Sequence, residues 1–82
     1  MMSEPDVRQW IVSYLADLLD VPEAEIKPDE LFKAYGLDSA DAVIIGGALE
    51  ENFDVEIDAT LFLRNESINA LIDDLRRSNF VG

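Results

Sequence analysis

Apolar residues that recur every three or four positions constrain this chain more than any other feature of it. Val7, Trp10, Ile11, Tyr14, Leu15 and Leu18 fall on one side of a helix turning about 100° per residue. Arg8, Gln9, Ser13 and Asp17 fall largely elsewhere. The spacing predicts a helix from about Asp6 to Leu19. Pro5 suits its first turn, and Ser3 or the acids Glu4 and Asp6 suit the positive end of its dipole. A second stripe, Ala42, Ile45, Gly46, Leu49 and Phe53, predicts a helix that begins at Ser39 and ends near Phe53. Asp38 is its N-cap, and Asp41 lies in its first turn. A third stripe, Ile68, Leu71, Ile72 and Leu75, follows Ser67 as a cap, with Arg76 and Arg77 at the negative end.

What lies between these stripes is broken by turn residues. Pro22, Pro28 and Gly36 discourage a long helix between Asp20 and Leu37. A connection of this length needs a reason. Val21, Ile26, Leu31, Phe32, Tyr35 and Leu37 supply one if they pack over the bundle, with a short helical turn around Asp29 to Lys33. Asn52 to Asp58 reads as a turn, and Asp58 as the cap of a short helix from Ala59 to about Arg64. Val55 and Ile57 alternate with acids, but the run is too short for a sheet. The pattern predicts an all-α bundle in a single domain, residues 1–82, with no internal repeat or linker. At this size about 60% of the unfolded surface is buried on folding, so the core is small.

Composition narrows the chemistry. There is no Cys and no His, which removes disulfides, thiolate metal sites and the commonest general base and zinc ligands. Catalysis would fall to carboxylates, Lys, Tyr or Ser, so an enzyme is not expected. Eighteen Asp and Glu against six Lys and Arg give a net charge of −12. That repels nucleic acid and anionic membranes and favours partners with basic surfaces. The same charge would also serve solubility alone. No apolar run approaches the ~20 residues of a membrane span. Met1 to Asp6 lacks the pattern of a signal peptide, so a cytoplasmic protein is the default expectation. Asp54, Glu56 and Asp58 alternate like calcium ligands. Counted from Asp54, however, the places of the required Gly and Glu hold Ala59 and Asn65.

Gly36-Leu37-Asp38-Ser39-Ala40 presents a hydroxyl at a helix start, where unpaired N–H groups favour a phosphate. On these residues alone, ordinary capping is the simpler account of Asp-Ser there. The longer pattern adds to this. Gly36-Leu37-Asp38-Ser39, followed by Val43 and then Ala48-Leu49-Glu50-Glu51-Asn52-Phe53-Asp54-Val55-Glu56-Ile57, resembles the acyl carrier protein family. There a Gly-x-Asp-Ser-Leu motif begins the second helix and a Leu-Glu-Glu-x-Phe segment ends it. Leu31-Phe32, Tyr35-Gly36-Leu37 and Ser67-Ile68-Asn69-Ala70-Leu71 extend the likeness, which runs from about Val7 to Leu75.

The resemblance implies a four-helix bundle with a long first loop and a short third helix. It implies that Ser39 receives 4′-phosphopantetheine covalently and that Asp38 is the neighbouring acid the phosphopantetheinyl transferase needs. Such a chain carries acyl thioesters between enzymes of fatty acid, polyketide or specialised lipid biosynthesis. Its partners are an acyl-AMP ligase or acyltransferase that loads it and a ketosynthase or other acyl-processing enzyme, and it works as a monomer. A peptidyl carrier, or an interaction module of the same fold without a prosthetic group, remains the alternative.

Three positions depart from the family pattern. Ala40 follows the serine where Leu is usual, Ile44 stands where fatty-acid members often carry an acid, and Gly47 replaces a larger apolar residue. Helical projection places Ala40, Ile44, Gly47 and Glu51 together away from the core, with Val43 at the edge. A lone exposed Ile is common. An Ile among small residues close to Ser39 is expected instead to form a smooth partner-docking patch, suited to specialised rather than housekeeping assembly.

Overall fold

The computed structural model describes residues 2–57 and 60–82. Helix α1 spans Glu4–Leu19, α2 Ser39–Phe53, α3 Leu61–Arg64 and α4 Ile68–Arg77. Two single 3₁₀ turns, Glu23–Glu25 and Phe32–Tyr35, interrupt the long connection between α1 and α2.

Pro5 lies in the first turn of α1, where its missing N–H costs no helical bond. Ser3 precedes the helix in extended backbone, and its carbonyl accepts from the Val7 N–H at 3.0 Å. Its hydroxyl caps nothing, so the acids Glu4 and Asp6 carry the charge complement to the dipole. At the other end Asp20 adopts the left-handed conformation (φ 56°), and the Val21 N–H bonds back to the Ala16 carbonyl at 3.0 Å. That closure satisfies the last carbonyls.

Val7, Ile11 and Leu15 of α1 meet Leu49 of α2, Leu61 of α3 and Ile68, Leu71, Ile72 and Leu75 of α4 in a core that excludes solvent. Trp10 stacks on Tyr14, with ring centroids 5.1 Å apart, and sets its edge against Phe53 at 6.1 Å. Both aromatics of α1 are therefore half-buried core. Leu18 departs from the expected stripe and is 47% exposed. It lies in the last turn of α1, which ends at the next residue, Leu19.

The long loop is held where sequence patterning does not reach. The Phe32 N–H donates to the Glu66 carbonyl at 2.7 Å and the Asn69 N–H to the Pro28 carbonyl at 2.9 Å. An isolated antiparallel bridge pairs Leu31 with Ser67. These bonds keep Leu31 extended, and the expected turn around Asp29 to Lys33 is displaced to Phe32–Tyr35. Ile26 is buried; Val21, Phe32, Tyr35 and Leu37 pack on the core. The Lys27 N–H donates to the Tyr35 hydroxyl at 2.9 Å, which ties the loop to itself.

Helix α4 starts as its sequence predicts, with the Ala70 N–H donating to Ser67 Oγ at 3.2 Å. The short third helix is also present. The expected Asp58 cap and Ala59 start lie outside the described residues, and the described helix begins at Leu61. The chain ends are clasped. The Met2 N–H donates to the Phe80 carbonyl at 2.8 Å, and the Gly82 N–H to the Met2 carbonyl at 3.2 Å. Arg76 on α4 pairs with Glu4 on α1. Among the described residues no helix is long and apolar enough to cross a membrane.

Candidate functional site

Gly36 takes positive φ (81°) and closes the 3₁₀ turn, which frees Leu37 to dip into the bundle before α2 begins. Asp38 then caps α2 by a reciprocal pair of bonds. The Asp41 N–H donates to Asp38 Oδ1 at 3.0 Å, and the Asp38 N–H donates to Asp41 Oδ2 at 3.1 Å. The Asp41 N–H holds the Asp38 carboxyl below the ordinary carboxylate range, with the Asp41 side chain and the Ala40 N–H adding to the effect. Asp38 is therefore ionised at neutral pH and sits beside Ser39 at the helix start.

Ser39 is the first residue of α2 and is exposed. Among the described residues nothing bonds its hydroxyl. The amides of Ser39 and Ala40 precede the first helical bond, which runs from the Ala42 N–H to the Asp38 carbonyl at 3.0 Å. The hydroxyl is thus reachable, uncommitted and close to the amides of the first turn.

A cleft of about 200 Å³ opens directly beside Ser39. Its apolar walls are Phe32 and Leu37 from the loop, Ala42 and Ile45 from α2, and Phe62 and Leu63 from α3. Gly46 explains how α3 comes so close: a Cβ there would meet Phe62 Cδ2 at 3.3 Å. Of the paired glycines, Gly46 serves close approach. Gly47 faces open space.

Ala40, Val43, Ile44, Gly47 and Glu51 are all exposed, and they share the face of α2 opposite Ile45 and Leu49. Val43 is 53% and Ile44 58% exposed. By helix geometry Ser39 lies about 40° round from Val43, at the border between this face and the cleft. Ala40, Val43 and Ile44 sit in the first turns with Ser39. Glu51 lies about 18 Å along the axis and belongs to the far end of the helix.

Leu63, 49% exposed, adds an apolar residue from α3 at the cleft. Sequence reasoning assigned it no role. A signal existed: Leu61-Phe62-Leu63 is a run of three apolar residues in a one-turn helix, which cannot bury all three against a single core.

The phosphopantetheine attachment-site family matches residues 9–75. Acyl carrier protein TtuC of Teredinibacter turnerae is 39% identical over 66 residues, covering 80% of this chain and 76% of that one. Polyketide synthase ThaQ of Burkholderia thailandensis is 41% identical over 68 residues, which cover 83% of this chain and 3% of that much longer protein. Among solved structures, a free-standing peptidyl carrier protein from an Acinetobacter baumannii secondary metabolic pathway superposes with a TM-score of 0.78 at 31% identity. The match covers 94% of this chain and 96% of that one.

Proposed function

This chain belongs to the phosphopantetheine attachment-site family of carrier proteins, and from that premise we propose that Ser39 is the residue that bears the arm. The observation that carries the proposal is an exposed, unbonded hydroxyl at the first residue of α2, beside an apolar cleft. The fit is chemical as well as steric. A phosphodiester on Ser39 Oγ would sit among the amides of the first turn, and the apolar cleft adjoins the attachment atom. When bound, the arm supplies a thiol, a nucleophile the chain lacks.

The chain's own residues hold and present. Asp38 fixes the start of α2, and with it the direction of the Ser39 side chain. During modification the hydroxyl gives up its proton, an Oγ–phosphorus bond forms, and a phosphoanhydride bond of the donor breaks within the transferase. The carrier then delivers tethered acyl groups to successive enzymes at high effective concentration and catalyses nothing itself.

Ala40, Val43, Ile44 and Gly47 form the docking face, with Glu51 at its far end. The transferase, an acyl-loading enzyme and a ketosynthase or related enzyme approach there in turn. The likeness to TtuC and to a segment of ThaQ favours acyl cargo of polyketide type. The likeness to a peptidyl carrier keeps aminoacyl cargo as the second reading.

The test is intact mass after co-expression with a phosphopantetheinyl transferase. One phosphopantetheine is gained by the wild type and none by Ser39→Ala. Gain in Ser39→Ala, or none in the wild type with several transferases, overturns the assignment.

A further inference from the structure

The last helix carries an acid where its neighbours are core. Asp74 follows Leu71 and Ile72 and precedes Leu75, all three fully buried, and is itself only 8% exposed. A carboxylate so placed is costly unless its oxygens are matched by donors. Arg64 Nε and Asn65 Nδ2 each donate to Asp74 Oδ2 at 2.8 Å. Arg64 Nη2 and Ser78 Oγ lie at 3.4 Å and 3.5 Å from Oδ1.

Two of these donors come from the end of α3: Arg64 is its last residue and Asn65 the next. The same two side chains reach back along the helix. Asn65 Nδ2 donates to the Leu61 carbonyl at 2.8 Å, and Arg64 Nη1 to Thr60 Oγ1 at 3.3 Å. One carboxylate on α4 therefore gathers both ends of α3. A helix of four residues has no stability of its own and lies where its tertiary contacts put it.

Between its ends α3 carries Phe62 and Leu63, which wall the cleft beside Ser39; Asn65 lines the same cleft. Phe62 also rests against Gly46 of α2. The clamp and the cleft thus share one short element. We infer that Asp74 is a positioning residue: it fixes α3 as a wall of the cleft next to Ser39 and so sets whether that cleft is closed or open. The link to cargo rests on Ser39 being the attachment residue. The clamp itself does not. Arg64 beside Asp74, followed by Asn65, holds the carboxyl at about 2, so the clamp is charged throughout the neutral range.

Asp74→Asn removes the charge, leaves one neutral carbonyl oxygen for the Arg64 and Asn65 donors, and puts an NH2 where Oδ1 faced Arg64 Nη2. Amide hydrogen exchange on the full, unmodified chain should rise about tenfold or more across residues 61–66, with α1 and the start of α2 unchanged. Nuclear Overhauser contacts between the Phe62 ring and Gly46 Hα should weaken in the same variant. Arg64→Gln, at a half-exposed side chain, should give the same local opening, and it decides the matter if Asp74→Asn does not fold. Unchanged exchange at 61–66, retained Phe62–Gly46 contacts, or an equal rise in every helix overturns the inference. Because these readouts need no attached arm, an unmodified wild type in the mass experiment would refute the Ser39 assignment and leave the clamp standing.

Discussion

Gly46 and Gly47 are adjacent in one helix, yet the same substitution should stabilise at Gly47 and not at Gly46. Alanine is about 0.8–1.0 kcal/mol more favourable than glycine in a helix interior. At Gly47 a new Cβ meets nothing within 4 Å, so that gain is realised in full. A domain of this size gains about 4–8 °C in Tm per kcal/mol, so Gly47→Ala should melt roughly 3–8 °C higher. At Gly46 the new Cβ would stand 3.3 Å from Phe62 Cδ2 and 3.7 Å from Cε2. The ring would have to retreat by a few tenths of an ångström, yet Phe62 is buried. Overpacking of this kind costs about 1–3 kcal/mol, which cancels or exceeds the helical gain. Gly46→Ala should therefore be neutral to about 2 kcal/mol destabilising. Urea unfolding followed by far-UV circular dichroism, with m held equal, separates the two. If Gly46→Ala stabilises as much as Gly47→Ala, α3 does not rest against α2 as described. If Gly47→Ala destabilises, its site is not an open helix surface.

Ile44→Glu should leave Tm unchanged and lower kcat/KM of the loading enzyme about tenfold, the loss of one exposed apolar anchor at an interface; equal rates across a panel of loading enzymes would refute the docking face. Asp38→Asn should keep the thermal midpoint, since Asn caps as well as Asp, and Asp38→Ala should lower it; if transferase loading falls in both, the acid has a role beyond the cap, which intact-mass kinetics reads directly. Asp74 has a folded pKa of about 2 against 3.8 for an unperturbed carboxyl. Its stabilisation is complete above about pH 4 and is lost as pH falls toward 2, for a total of about 1–2 kcal/mol once the exposure of Arg64 is allowed for. Acid titration of wild type and Asp74→Asn should converge over that window, and parallel curves would contradict it.

The second helix was legible from sequence, its start at Ser39 and its end near Phe53, because its start and stop are local. Asp38 and Asp41 bond within one turn, and Asp54 ends the helix by its own left-handed conformation. The same holds for Ser67 and α4, and the three-and-four spacing marked most of the core. Position on α2 likewise exposed the Val43–Ile44 face without any knowledge of its neighbours. What the sequence alone left hidden is built from bonds between distant positions. Pro28 to Asn69, Phe32 to Glu66, Met2 to Phe80 and Asn65 to Asp74 have no periodic signature. They set the turn in the long loop at Phe32–Tyr35, clasp the chain ends and tie the end of α3 to α4. The cleft beside Ser39 was hidden for the same reason: a cavity is the space left between elements, and helical periodicity fixes each element's faces but not the distance at which two of them come to rest.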